Sequence, residues 1–124
     1  MKHPYGILAV IVLSSFILRL GLMTFIQNPG LNDQNHYYNL GQRLLTGEGF
    51  TIDYVWHYSH IPDDIVHPID HWMPIAGIFV ALGMGIFGES PQGALALFVV
   101  IGSLLPIIVF IASKQYDVPD NIAL

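Results

Sequence analysis

The strongest constraint on this chain is the long apolar segment 6–26, in which Arg19 is the only charged side chain. About 20 predominantly apolar residues cross the hydrocarbon core of a bilayer, so we predict a transmembrane helix over 6–26. Lys2 and His3 precede it and favour a cytoplasmic N-terminus. A cleaved signal peptide is the alternative. Its apolar core is only about 7–15 residues long and ends at small residues, which disfavours it here.

The low charge content also points to a membrane. Only 10% of the 124 residues are charged and 53% are hydrophobic, whereas a soluble domain carries about 25% charged residues. The net charge of −5 offers no basic surface, so we expect no nucleic-acid partner. The chain contains no cysteine, which excludes a disulfide framework and a thiolate metal site.

Two further apolar segments, 72–87 and 92–113, are predicted to cross the membrane as a hairpin. The sequence therefore predicts an all-α integral membrane protein with three transmembrane helices. A long extracytoplasmic loop, 27–71, would connect the first two. The final residues, 122–124, look like the first turn of another apolar segment. We therefore expect 1–124 to be the N-terminal module, or a fragment, of a longer multi-span protein.

The loop contains a predicted amphipathic helix, 33–46. Its apolar face is formed by residues at helical spacing, namely Tyr37, Leu40, Leu44 and Leu45. Gly47 is suited to end it, and a short helix of this kind should lie along the membrane surface. Asp33 can cap its first turn. As a carboxylate at headgroup level, Asp33 could also act as a general base or help to hold a divalent cation, and both roles can hold at once.

The same loop is rich in histidine. It holds five of the six histidines, His36, His57, His60, His67 and His71, beside Asp63, Asp64 and Asp70. Zinc binds imidazole and carboxylate groups, so a metal-handling protein is one alternative function. Pro68 separates His67 from His71 and disfavours a helical pair of ligands. We therefore predict no resident metal, while a weakly held divalent cation stays open.

Arg19 has two interpretations of equal weight. A charge inside an apolar helix is expensive, and its side chain commonly reaches toward the headgroups. Alternatively, Arg19 contacts an anionic lipid headgroup or a carboxylate of the loop.

Several short motifs follow one another in a characteristic order. They are Asp33 with Tyr37 four residues later, Gly47-Glu48-Gly49, His67-Pro68, His71-Trp72-Met73-Pro74 and Phe87-Gly88-Glu89-Ser90. Together they cover nearly the whole chain. This pattern resembles the N-terminal module of the GT-C superfamily of integral membrane glycosyltransferases. The resemblance is to the branch that includes protein O-mannosyltransferases and lipid A aminoarabinose transferases.

The resemblance implies transfer of a sugar from a polyprenyl-phosphate donor to an acceptor at the outer face of a bacterial inner membrane. It makes Asp33 the candidate base. It places Tyr37, His67, Asp70 and His71 near the donor, with Arg19 supplying positive charge. It also implies that further spans, or a membrane partner, complete the active protein. The alternative from another class is a small non-catalytic membrane protein that binds a larger membrane partner.

Overall fold

The computed structural model describes residues 4–54, 66–69 and 72–123, and these residues are mostly helical. The helices are α1 (Pro4–Met23), α2 (Asp33–Leu45), α3 (Ile75–Phe87), α4 (Pro91–Gln115) and the short α5 (Asp120–Ala123). Two strands of two residues each, β1 (Thr51–Ile52) and β2 (His67–Pro68), lie between α2 and α3. The chain divides into two compact units, one made of 1–25 and 98–124, the other of 26–97.

Within the described residues, two helices are long and apolar enough to cross a membrane. They are α1, with 20 residues, and α4, with 25. They correspond to the predicted spans 6–26 and 92–113. In the first unit the rings of Tyr5 and Phe110 meet edge to face, with centroids 6.0 Å apart.

The predicted span 72–87 is not confirmed. The helix α3 begins at Ile75 rather than at Trp72 and contains 13 residues. At 1.5 Å per residue it is about 20 Å long, short of the roughly 30 Å of a hydrocarbon core. Pro74 precedes it as the N-cap residue, so the helix starts later than the apolar run suggested.

The core of the second unit is the contact between α2 and α3. Leu40 is completely buried, and a Cβ placed on Gly77 would overlap its side chain. In the same way, a Cβ placed on Gly41 would overlap Val80. Because Leu40 meets Gly77 while Leu45 lies near Gly85 farther along, the two helices run in the same direction. Part of the predicted membrane-facing side of α2 is therefore covered by protein.

The two short strands bring the ends of the loop together. They pair antiparallel, with Thr51 opposite Pro68 and Ile52 opposite His67. The backbone N–H of Ile69 donates to the Phe50 carbonyl over 3.0 Å and extends the pairing. An all-α class therefore omits a small strand pair, because such pairing depends on residues far apart in the chain rather than on local pattern.

Candidate functional site

Asp33 is the first residue of α2 rather than its cap. Asn32 occupies the N-cap position with φ 55° and makes no side-chain capping hydrogen bond. The His36 N–H donates to the Asn32 carbonyl over 3.0 Å, which closes the first turn. The predicted capping role of Asp33 is therefore wrong, because asparagine tolerates the left-handed backbone that enters the helix. Asp33 is exposed, at the helix end that favours negative charge.

An aromatic cluster lies beside Asp33. The ring of His36 is 5.6 Å from Tyr37, 5.6 Å from Trp72 and 6.2 Å from Tyr54, measured between centroids. Tyr37 and Trp72 also meet edge to face at 6.1 Å. His36 is buried, whereas Tyr37, Tyr54 and Trp72 are half-buried. The cluster therefore presents aromatic edges and faces on the side of α2 where it begins.

The phenol of Tyr54 links the aromatic cluster to two carboxylates. Its pKa is raised to about 12, first by burial and then by the negative charges of Asp53 and Asp33. Asp33 is thus close enough to Tyr54 to act on it electrostatically, and Tyr54 keeps its proton. A protonated phenol beside two carboxylates supplies a hydrogen-bond donor next to acceptors.

A polar network holds β1 and the segment that follows it, which includes Tyr54, against α2. Asn39 donates to the Asp53 carboxylate at 2.5 Å and accepts from the Asp53 backbone N–H at 3.3 Å. The Arg43 guanidinium donates from Nε to Thr51 Oγ1 at 2.6 Å, pairs with Glu48, and lies 3.6 Å from Asp53. Arg43 is therefore a structural residue, because its donors are used to position β1.

The structure brings together only part of the predicted site. Asp33 and Tyr37 are one turn apart on α2, beside the aromatic cluster. Arg19 belongs to the other compact unit. The backbone of His67 is in β2, its side chain is not described, and Asp70 and His71 lie outside the described residues. The roles proposed for these three residues stay predictions.

The described residues contain no group of three or more metal-binding side chains. His57, His60, Asp63 and Asp64 are outside that part of the chain. The metal-handling alternative therefore stays untested.

Sequence reasoning missed the cluster formed by His36, Tyr54 and Trp72. In the sequence, His36 stands among the histidines of the loop, and Trp72 belongs to the motif His71-Trp72-Met73-Pro74. The sequence contained one signal that His36 is buried. His36 lies one helical turn before Leu40, so both side chains share the buried face of α2. The partnership with Tyr54 depends on the hydrogen bonds between Asn39 and Asp53, which are far apart in the chain, and has no local signal.

The site combines an exposed carboxylate, a protonated phenol and partly exposed aromatic rings. Such a set can accept a proton from a hydroxyl, exchange hydrogen bonds with a polyol and pack against its carbon-bound hydrogens. Comparison with protein-family models, curated proteins and solved structures finds no match to this chain.

Proposed function

We propose that this chain is a membrane module of a glycosyltransferase that moves a sugar from a polyprenyl phosphate to an acceptor hydroxyl or amine. The observation that supports this most is the exposed carboxylate of Asp33 beside the cluster of His36, Tyr37, Tyr54 and Trp72. The motif resemblance to GT-C glycosyltransferases adds independent support.

The proposed reaction is a single displacement at the anomeric carbon. Asp33 takes the proton from the acceptor, whose oxygen or nitrogen then forms a bond to that carbon. The bond from the anomeric carbon to the phosphate oxygen breaks, and its electron pair leaves with the polyprenyl phosphate. The configuration at the carbon inverts. A general base of this kind contributes about 10²–10⁴-fold to the rate.

The neighbouring residues have supporting roles in this proposal. Tyr37 and Trp72 pack against the sugar, and the neutral Tyr54 donates a hydrogen bond to a sugar oxygen. His67, Asp70 and His71 precede Trp72 in the chain and are assigned to the donor phosphate. No metal is required, because a carboxylate can remove the proton by itself.

The proposal places α1 and α4 across a bacterial inner membrane, with the N-terminus in the cytoplasm and the loop 27–71 outside. The helix α3 corresponds to the expected span 72–87. Because it is only about 20 Å long, we propose that it lies at the outer membrane surface beside α2 without crossing. This arrangement keeps Asp33 on the side where a lipid headgroup meets water.

The test is Asp33→Asn, assayed by sugar transfer from a radiolabelled polyprenyl-phosphate sugar in membranes that contain the protein and its natural partners. Asparagine is nearly isosteric with aspartate but cannot accept the proton. We therefore expect transfer to fall about 10²–10⁴-fold while the amount of protein in the membrane stays unchanged.

Asp117→Asn is the matched control, since it also removes one carboxylate. Asp117 has φ 55°, a conformation that asparagine tolerates, so this variant should keep full transfer activity. Near-normal transfer by Asp33→Asn would remove Asp33 from the reaction. A wild-type protein that transfers no sugar from any polyprenyl phosphate in a donor panel would overturn the function itself and favour the non-catalytic alternative.

A further inference from the structure

A groove in the first compact unit combines apolar walls with one cation. It lies between α1 and α4 and has a volume of about 290 Å³. Leu8, Ile11 and Ser15 line it from α1, and Gly102 and Pro106 from α4. Among the described residues that line it, Arg19 is the only one with a charge.

The groove has a place for the Arg19 side chain. Its Nε lies 3.2 Å from the position that a Cβ on residue 102 would occupy, so the guanidinium rests where Gly102 leaves room. Pro106 lies within α4 and has no N–H, so the helical hydrogen bond to the Gly102 carbonyl is not made. The Gly102 carbonyl is therefore left without its helical donor on the wall that Arg19 approaches.

The positive charge of Arg19 requires a counter-charge in this environment. No ion pair joins Arg19 to a carboxylate among the residues that the structure describes. A charge in a membrane-spanning helix faces water, protein or a partner of opposite sign. Arg19 is four residues from Met23, the end of α1, which corresponds to about 6 Å along the axis. Its long side chain can span that distance to the level of the headgroups.

We propose that this groove binds the phosphate of an anionic phospholipid. Arg19 pairs with the phosphate through its planar guanidinium, the fork that suits phosphate oxygens. Ser15, one turn earlier on the same side of α1, lines the groove below the phosphate. The acyl chains pack against Leu8, Ile11 and the apolar residues of α4. The site belongs to a different unit from Asp33, so it stands or falls independently of the glycosyltransferase function.

The test is native mass spectrometry of the intact chain in a non-ionic detergent, with equal amounts of phosphatidylglycerol and phosphatidylcholine added. We expect the protein to retain phosphatidylglycerol at least about fivefold better, the effect of one favourably placed cation near a phosphate. Arg19→Gln should remove this preference. The matched control is Lys114→Gln, which removes one positive charge from the last turn of α4 and should keep it.

Two further variants separate binding from folding. Arg19→Lys retains the charge without the fork and should keep part of the preference. Gly102→Ala places a methyl group against the Arg19 side chain and should reduce the preference while the helical circular dichroism is unchanged. If Arg19→Gln does not fold, these two variants test whether the groove binds phosphatidylglycerol through Arg19.

Three results would overturn the proposal. The first is an undiminished preference in Arg19→Gln. The second is an equal loss in Lys114→Gln, which would mean unspecific attraction between charges. The third comes from adding undecaprenyl phosphate. If this lipid binds through Arg19 while phosphatidylglycerol does not, the groove holds a polyprenyl phosphate rather than a phospholipid.

Discussion

Replacing Gly41 by alanine should loosen the packing of α2 on α3, whereas the same change at Gly85 should not. A Cβ on residue 41 would lie 2.9 Å from the Val80 Cβ and 3.2 Å from the Ala81 nitrogen. Real Cβ atoms essentially never come closer than 3.0 Å to another atom. A Cβ on residue 85 would lie 3.4 Å from the Leu45 Cδ1, which is an ordinary contact.

Two opposing effects set the magnitude. Alanine is favoured over glycine inside a helix by about 1 kcal/mol. Overpacking at a filled contact costs about 1–3 kcal/mol, and Val80 is β-branched and cannot easily turn aside. Gly41→Ala should therefore lower the free energy of unfolding by about 0–2 kcal/mol, while Gly85→Ala should raise it by about 1 kcal/mol. The difference between the variants isolates the overlap, because helix propensity and the unfolded state change alike in both.

The assay is unfolding of the purified protein in mixed detergent micelles, by titration with sodium dodecyl sulfate and circular dichroism. We expect the midpoint to fall for Gly41→Ala relative to Gly85→Ala by the equivalent of about 1–3 kcal/mol. Equal shifts in the same direction would refute the close approach of α2 and α3 at Gly41. The direction and spacing derived for this helix pair would then have to be abandoned.

The remaining predictions concern the phenol of Tyr54, whose pKa is raised to about 12. In an absorbance titration, the difference between the wild type and Tyr54→Phe should report this pKa. Asp53→Asn should lower the Tyr54 pKa more than Asp33→Asn, because Asp53 has the larger charge effect of the two. If Asp33→Asn leaves the Tyr54 pKa unchanged, Asp33 is not near the aromatic cluster. The folded state holds the Tyr54 proton more tightly than the unfolded chain, in which the tyrosine pKa is about 10. The resulting contribution to the free energy of unfolding is therefore complete below pH 10 and is lost as the pH rises through 12. Tyr54→Phe should lose less stability than the wild type across that interval.

The elements of this fold that depend on local signals could be predicted from the sequence. The helix predicted over 33–46 is found at Asp33–Leu45, and Gly47 follows it with φ 82°. The helix α4 begins at Pro91, next to the start of the predicted span 92–113. Each of these features depends on an apolar run, a proline or a glycine within a few residues.

What could not be predicted depends on partners far apart in the chain. Leu40 of α2 occupies the space beside Gly77 of α3, but no local pattern in the sequence identifies α2 as the partner of α3. The same holds for Tyr54, which lies beside His36 where Asn39 of α2 is hydrogen-bonded to the neighbouring Asp53. The sequence therefore predicted only part of the site, namely Asp33 and Tyr37 on one helix. It did not predict that Tyr54 and Trp72 lie beside them.

The number of membrane crossings follows from combining helix lengths with charge. If α1 and α4 cross and α3 does not, Lys2 and Lys114 are both cytoplasmic while Arg43 is outside, as the preference for cytoplasmic lysine and arginine requires. If α3 also crosses, Lys114 moves outside with Arg43 and only Lys2 stays within. The polar residues of α2 also disfavour a crossing by α3. Because α2 runs beside α3, the two helices would cross together and would carry Asn39 and Arg43 into lipid.

The chain has no cysteine, so single cysteines report their side of the membrane without interference. We expect Thr46→Cys to react with a membrane-impermeant maleimide in right-side-out vesicles. Tyr116→Cys, at a residue that is 81% exposed just after α4, should react only after the vesicles are opened. Thr46→Cys thus serves as the control for access from outside. Reaction of both cysteines in closed vesicles would show that α3 crosses after all, since an additional crossing brings the end of α4 to the side of the loop.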